Sequence, residues 1–256
     1  MVGILTYCFI MYLLGGIGAS LGYHRVLTHR SAEMPHWLEY GLVLLGLPAG
    51  TPIQWAGNHR AHHLHTDKNG DPHSPHIDGF WYAHCGWYIQ SRKPLFCLLY
   101  ALAGPLRMFM DAIMRPRTNQ EHVHLAKDIA AVPFYAFISR PINYMIFIWL
   151  YLSVILILPY CLFGWPGVLA ASITLVIIYN IGDAVDSVGH LWGKKRGNDE
   201  ARNNAFLGIL AFGDGWHANH HLRPQRALHG IKKNQLDLSY LVLRLGKLMG
   251  IVKKIH

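Results

Sequence analysis

Charge is scarce in this chain. Asp, Glu, Lys and Arg make up 14% of its 256 residues, against about a quarter in a soluble globular domain. The shortage is uneven: no Lys or Arg occurs in 1–24 or 141–193, and all 23 lie in 25–140 or 194–254. Cysteine is thin too. Cys8, Cys85, Cys97 and Cys161 stand apart without a C-x-x-C pair, which argues against a zinc ribbon or a disulfide scaffold. No H-E-x-x-H occurs, so the zinc-protease pattern is missing. What the chain does have is apolar residues, at 52%, and 18 histidines. A net charge of +9 taken alone would suit nucleic acid. Its placement instead suits a membrane protein with no nucleic-acid partner.

Residues 1–23 are apolar and uncharged, long enough to cross a 30 Å hydrocarbon core at 1.5 Å per residue. They lack the basic start and small-residue cleavage site of a signal peptide, and His24 follows directly. Residues 141–163 and 166–185 form a second and third span, turning at PYCLFGWPG. Residues 37–56 resemble a span, but histidine-rich clusters flank them. Crossing there would put those clusters on opposite faces of the bilayer. An interfacial helix broken by Pro48, Gly50 and Pro52 keeps both on one side. The Lys and Arg distribution then places every histidine cluster in the cytoplasm and the N-terminus outside. The expected fold is an all-α integral membrane protein, one domain over 1–256, with a cytoplasmic helical cap holding a histidine-rich di-metal site.

The first cluster, GYHRVLTHR, holds His24 and His29. Five α-helical residues rotate by about 140° net, so these two rings serve different metals unless the helix ends between them. The second, GNHRAHHLH, holds His59, His62 and His63, and the third, GDGWHANHH, repeats the H-x-x-H-H spacing with His217, His220 and His221. Offsets of three and four return near the same helix face, so each triplet can point into one pocket. In DAVDSVGHLWG, Asp186 and His190 are four apart and share a face, with Asp183 one turn earlier. Ionisable residues in a span usually mark function. Nine imidazoles are too many for one ion. Imidazole suits Zn, Cu, Fe and Ni alike, but a catalytic zinc uses only three protein ligands. Two iron ions with an open position for dioxygen fit best, and no bound organic cofactor is expected. Neutral ligands leave positive charge to be offset by neighbouring acids, for which Asp71, Asp186 and Asp214 are candidates.

HRVLTHR, HRAHH and HANHH, with DPH at 71–73, GFWYAHCGW at 79–87 and DSVGH, resemble the histidine boxes of membrane fatty acyl desaturases of the stearoyl-CoA and acyl-lipid delta-9 type. The resemblance covers the chain from about Gly22 onward. It implies oxygen-dependent removal of two hydrogens from an acyl chain, with water as the reduced product. The metal ligands carry over to His24, His29, His59, His62, His63, His190, His217, His220 and His221, with no catalytic residue beyond them. Asp186 stands where the family often has Asn holding a metal-bound water, and is expected to ligate or to accept from that water. Trp55 matches an aromatic beside the acyl tunnel; read alone, it is an interfacial anchor. Asp183 falls at a substrate-adjacent Trp, and Gly57 replaces an Arg that contacts CoA in animal enzymes. The acyl carrier is therefore open among CoA, an acyl-carrier protein and a membrane lipid. A basic surface including Arg115, Arg117, Lys232 and Lys233 would suit an acidic carrier or anionic headgroups. Electrons are expected from a separate ferredoxin or cytochrome b5-like donor, and a bacterial inner membrane is favoured over endoplasmic reticulum. The family usually has a further span ahead of residue 1, so three spans imply a shortened start or a fold that manages without it. On the same scaffold, oxygen rebound gives an acyl hydroxylase, and a terminal desaturase or acetylenase is the other alternative.

Overall fold

The computed structural model describes residues 1–256, and its secondary structure is almost entirely helical. Three helices are long and apolar enough to cross a membrane: Val2–Thr28, Pro141–Phe163 and Trp165–Leu191. The second and third form the expected hairpin, turning at Gly164. Their outward residues, such as Leu150, Val154, Ile157, Leu169, Ile173 and Ile177, are exposed. An apolar surface of that extent needs lipid rather than water. The first and third helices run past the expected ends at residues 23 and 185. That extension puts His24 and His190 on the spans themselves.

The 37–56 segment is two helices, His36–Gly46 and Pro52–His65, joined by a 3₁₀ turn at Leu47–Ala49. The break falls at Pro48, Gly50 and Pro52, as their backbone limits require. The second helix starts cleanly because Pro52 occupies its first turn and Thr51 Oγ1 accepts from the Gln54 amide at 3.3 Å. It then carries the second histidine cluster to its C-terminal end. A fourth apolar element was not expected: Pro94–Leu102 and Pro105–Met114 bend by 111° at Ala103–Gly104 and together pass as a broken span or a re-entrant loop.

Close backbone packing positions His24. Gly18 and Gly22 form a G-x-x-x-G face against the His36–Gly46 helix. A Cβ on Gly18 would lie 2.3 Å from the Leu45 carbonyl carbon, and one on Gly22 would lie 2.4 Å from the Leu42 carbonyl oxygen. Small residues let helices approach this closely in lipid. Gly22→Leu is expected to destabilise the fold by about 1–3 kcal/mol or more through overpacking and to loosen His24 two residues on. Thermal unfolding in detergent and bound-metal content check this; a wild-type melting temperature would contradict it. Farther along, the antiparallel pairing of Ala32–Glu33 with Lys254–Ile255 ties the C-terminal segment beside the first histidine box.

Candidate metal centre and cavity

All nine histidines converge, in two groups. His24, His29, His59, His63 and His220 offer ring nitrogens within 4.8 Å of one another, and His62, His190, His217 and His221 form a second such group. The two adjoin, with the His63 and His221 ring centroids 4.4 Å apart.

His24 and His29 share a group despite their spacing. The helix from Ile17 to Thr28 is wound as a π-helix, whose bonds run i→i+5. The His29 amide donates to the His24 carbonyl at 3.2 Å, and the helix ends at Thr28. Residues five apart then lie about one turn apart, and both rings enter the same cluster.

Each H-x-x-H-H triplet divides between the groups, where the spacing had suggested one pocket per triplet. His59 and His63 join the five-membered group while His62 joins the other; His217 and His221 join the four-membered group while His220 crosses back. Offsets of three and four fall on opposite sides of the starting residue, about 100° apart. The i, i+4 pair therefore serves one position and the middle histidine the other, with the roles reversed between the two triplets.

The rings are set to present lone pairs. His62 Nδ1 lies 3.0 Å from Asp71, His24 Nδ1 3.1 Å from Asp214, His190 Nδ1 2.8 Å from Asp67 and His221 Nδ1 3.2 Å from Asp199. A carboxylate accepting Nδ1–H fixes the tautomer and aims a bare Nε2 inward. Those Nε2 atoms face one another: His24–His220 at 2.9 Å, His29–His59 at 3.0 Å, His190–His217 at 2.9 Å and His217–His221 at 3.1 Å. Nitrogens bound at about 2.1 Å to one ion stand roughly 3.0–3.4 Å apart at octahedral or tetrahedral angles. The observed spacing is that of ligands around a cation, and facing lone pairs at this distance repel without one. The donor set therefore fits two metal ions.

Burial, reinforced by neighbouring imidazoles, lowers the proton affinity of His59, His63, His217, His220 and His221 well below the ordinary histidine value. They are neutral, as ligands must be. At His62 burial acts in the same direction, but the carboxylates of Asp71, Asp186 and Asp67 together outweigh it and raise the value. Burial would raise Asp71, yet His62 and its other hydrogen bonds hold it well below the usual carboxylate range. Asp71→Asn is expected to weaken metal binding about 10–100-fold, measured by metal titration of the purified apo-protein. Unchanged affinity would remove Asp71 from this role.

Asp71 and Asp214 thus stand where the sequence placed supporting acids. Asp186 does not. It is outside both groups, one helical turn before His190 on the cavity wall. Asp67 and Asp199 escaped the sequence reading, as did His73, stacked on His62 at 4.6 Å, and His229, 3.4 Å from Asp214. The DPH motif and the acid-containing GNDE loop were the available signals.

A cavity of about 160 Å³ reaches the five-imidazole group at His24 and His59. Most of its lining is apolar, with residues such as Met11, Leu45, Ile155, Leu175, Ile178 and Phe212. Trp55 lines it, stacked on His59 at 4.9 Å and 12° and edge-on to Tyr23 at 5.5 Å. Asp183 lines it too, but is engaged by Arg107 at 2.5 and 3.0 Å. Arg115 is not on the basic surface: it is buried, lines the same cavity and lies 3.5 Å over the Tyr88 ring. Arg117 is exposed.

Apolar spans, two adjoining imidazole clusters and a largely apolar cavity reaching one of them make a membrane-embedded site suited to metal ions. A model of the fatty acid desaturase family matches residues 2–239. The chain is 34% identical to the sn-1 stearoyl-lipid 9-desaturase of Anabaena variabilis, over 96% of this chain and 81% of that protein. It is equally similar to the sn-2 palmitoyl-lipid 9-desaturase of Nostoc sp. (strain 36), over 96% and 79%. The acyl-CoA C20 Delta5-desaturase of Anemone leveillei is 33% identical over 97% and 72%. The chain belongs to the fatty acid desaturase family and is an integral-membrane oxidoreductase of fatty acyl chains.

Proposed function

We propose that the chain is a dioxygen-dependent acyl desaturase with two iron ions, acting on an acyl chain carried by a membrane glycerolipid. The observation that carries this reading is a largely apolar cavity reaching the first of two adjoining imidazole clusters, four of whose rings are oriented by carboxylates. His24, His29, His59, His63 and His220 would hold one ion, and His62, His190, His217 and His221 the other. Iron bound there would supply the redox chemistry that activates dioxygen and removes hydrogen from an unactivated methylene pair. The chain's own contribution is placement. The apolar lining of the cavity takes the acyl tail and excludes water, and Trp55 packs the tail against the cluster through its stack on His59. Asp71, Asp67, Asp199 and Asp214 hold four of the rings in their ligand orientation. Asp186, whose charge reaches His62 and His73, adds negative potential on the cavity side.

A lipid carrier is favoured by the lipid 9-desaturases among the relatives and by Gly57 in place of a CoA-contacting arginine. The same relatives favour a double bond at the ninth carbon. The distribution of Lys and Arg supports a cytoplasmic active site, and electrons would come from a separate ferredoxin or cytochrome b5-like protein. The test is expression in membranes with a reductase system and deuterium-labelled acyl lipids, followed by mass spectrometry with and without oxygen. Oxygen-dependent loss of two hydrogens at the ninth and tenth carbons is expected. Gain of one oxygen would make the enzyme a hydroxylase, and oxygen-independent turnover would overturn the reading.

A further inference from the structure

We propose that the basic pocket beside the third histidine box is the docking surface for an acidic one-electron carrier protein; this rests on the redox reading above. Replacing –CH2–CH2– by –CH=CH– releases two hydrogens, as two electrons and two protons. Reducing dioxygen to two waters consumes four of each. Two electrons and two protons must therefore come from outside the substrate, and the electrons must arrive close to the metal ligands.

The surface that meets this requirement lies just past the third span. Lys194, Arg196, Asn203, Trp216, Lys232 and Gln235 line a pocket there. Lys194, Lys232 and the adjacent Lys233 are exposed, and none is among the lysines that find a carboxylate, which are Lys195 on Glu200 and Lys254 on Glu33. Opposite charge on a partner is the complement of such a rim. The floor of the pocket leads inward. Trp216 is buried, its indole donating to the Leu236 carbonyl at 2.7 Å, and its backbone continues directly into His217. Arg196 donates to Asn219 Oδ1 at 2.7 Å, and Asn203 Nδ2 donates to the same oxygen at 2.8 Å. Asn219 in turn donates to the His229 carbonyl at 2.7 Å, between two residues that join the clusters, His217 and His220. A protein seated on this rim is thus one residue from a member of the four-imidazole group.

The pocket shares no lining residue with the acyl cavity. An acyl-delivering partner would have to reach the cavity, whereas an electron carrier needs only the histidine helix. That separation favours the electron carrier and leaves the cavity mouth free for lipid.

The experiment uses the iron-loaded chain in uncharged detergent without oxygen. Two acidic donors, a reduced [2Fe–2S] ferredoxin and the reduced soluble domain of cytochrome b5, are mixed with it, and donor oxidation is followed by stopped-flow absorbance. The variant is Lys194→Glu/Lys232→Glu/Lys233→Glu, which leaves Arg196 and its bond to Asn219 in place. With at least one donor, the wild-type rate is expected to fall with ionic strength, and the variant to be slower by about tenfold or more at low salt. Reduction by dithionite should be equal in both, which separates docking from damage to the centre. Equal donor rates in wild type and variant would overturn the proposal, as would oxidation of neither donor. If the variant instead lost only its binding to anionic lipid vesicles, the patch would belong to the membrane surface. Failure of dithionite to reduce the wild type would overturn the redox reading itself.

Discussion

His62→Ala and His63→Ala are expected to abolish desaturation alike while losing metal unequally. The residues are neighbours, yet they point into different clusters. Removing His62 takes the four-imidazole position to three ligands; removing His63 takes the other from five to four. Three imidazoles with no other protein ligand hold an ion less firmly, so His62→Ala should lose close to one metal per chain. His63→Ala should retain most of its metal. Both lose turnover, because the proposed reaction uses both positions. Metal analysis and product assay of the two purified variants check the pattern. Retained turnover with full metal occupancy in His62→Ala would sink the ligand assignment.

The second large effect concerns the ion pair in the cavity wall. Arg107 and Asp183 are 0% and 4% exposed and bonded at 2.5 Å. Breaking such a pair from one side strands a buried charge, at a cost of about 3–5 kcal/mol, whereas replacing both partners by apolar groups of similar volume is often neutral or stabilising. Arg107→Met is therefore expected to lower stability by about that amount. Arg107→Met/Asp183→Leu should recover most of it, although Asp111, 3.7 Å from both Arg107 and Arg115, keeps only the latter. Denaturation in detergent of the single and double variants measures this. A double variant no more stable than Arg107→Met would mean that the pair stabilises the fold beyond charge compensation.

Much of this was legible in the amino-acid order. Imidazole spacing identified the nine residues that converge, hydropathy found the three spans, and Pro48, Gly50 and Pro52 marked the break between helices. Other features have no one-dimensional signature. The π-winding that brings His29 beneath His24 is a choice of hydrogen-bond register, invisible to a hydropathy pattern. The division of each triplet follows from the 100° between adjacent residues, but only a second cluster on the far side shows that it is used. Asp67 and Asp199 reach their histidines from loops, Asp67 with a positive φ of 57°, where no periodicity applies. The bent Pro94–Met114 pair is too short in each half to register as a span, and Arg107 and Asp111 disguise its second half. Arg115 was read as surface because a cation in a basic stretch usually is; Tyr88 and Asp111 make its burial tolerable.

The most direct test of two inequivalent metal positions is Mössbauer spectroscopy, with iron analysis, on protein purified from cells grown on isotope-enriched iron. The proposed di-iron reading predicts about two irons per chain and two distinct signals, one from the five-imidazole and one from the four-imidazole position. A single iron per chain, or full occupancy by zinc, would contradict it.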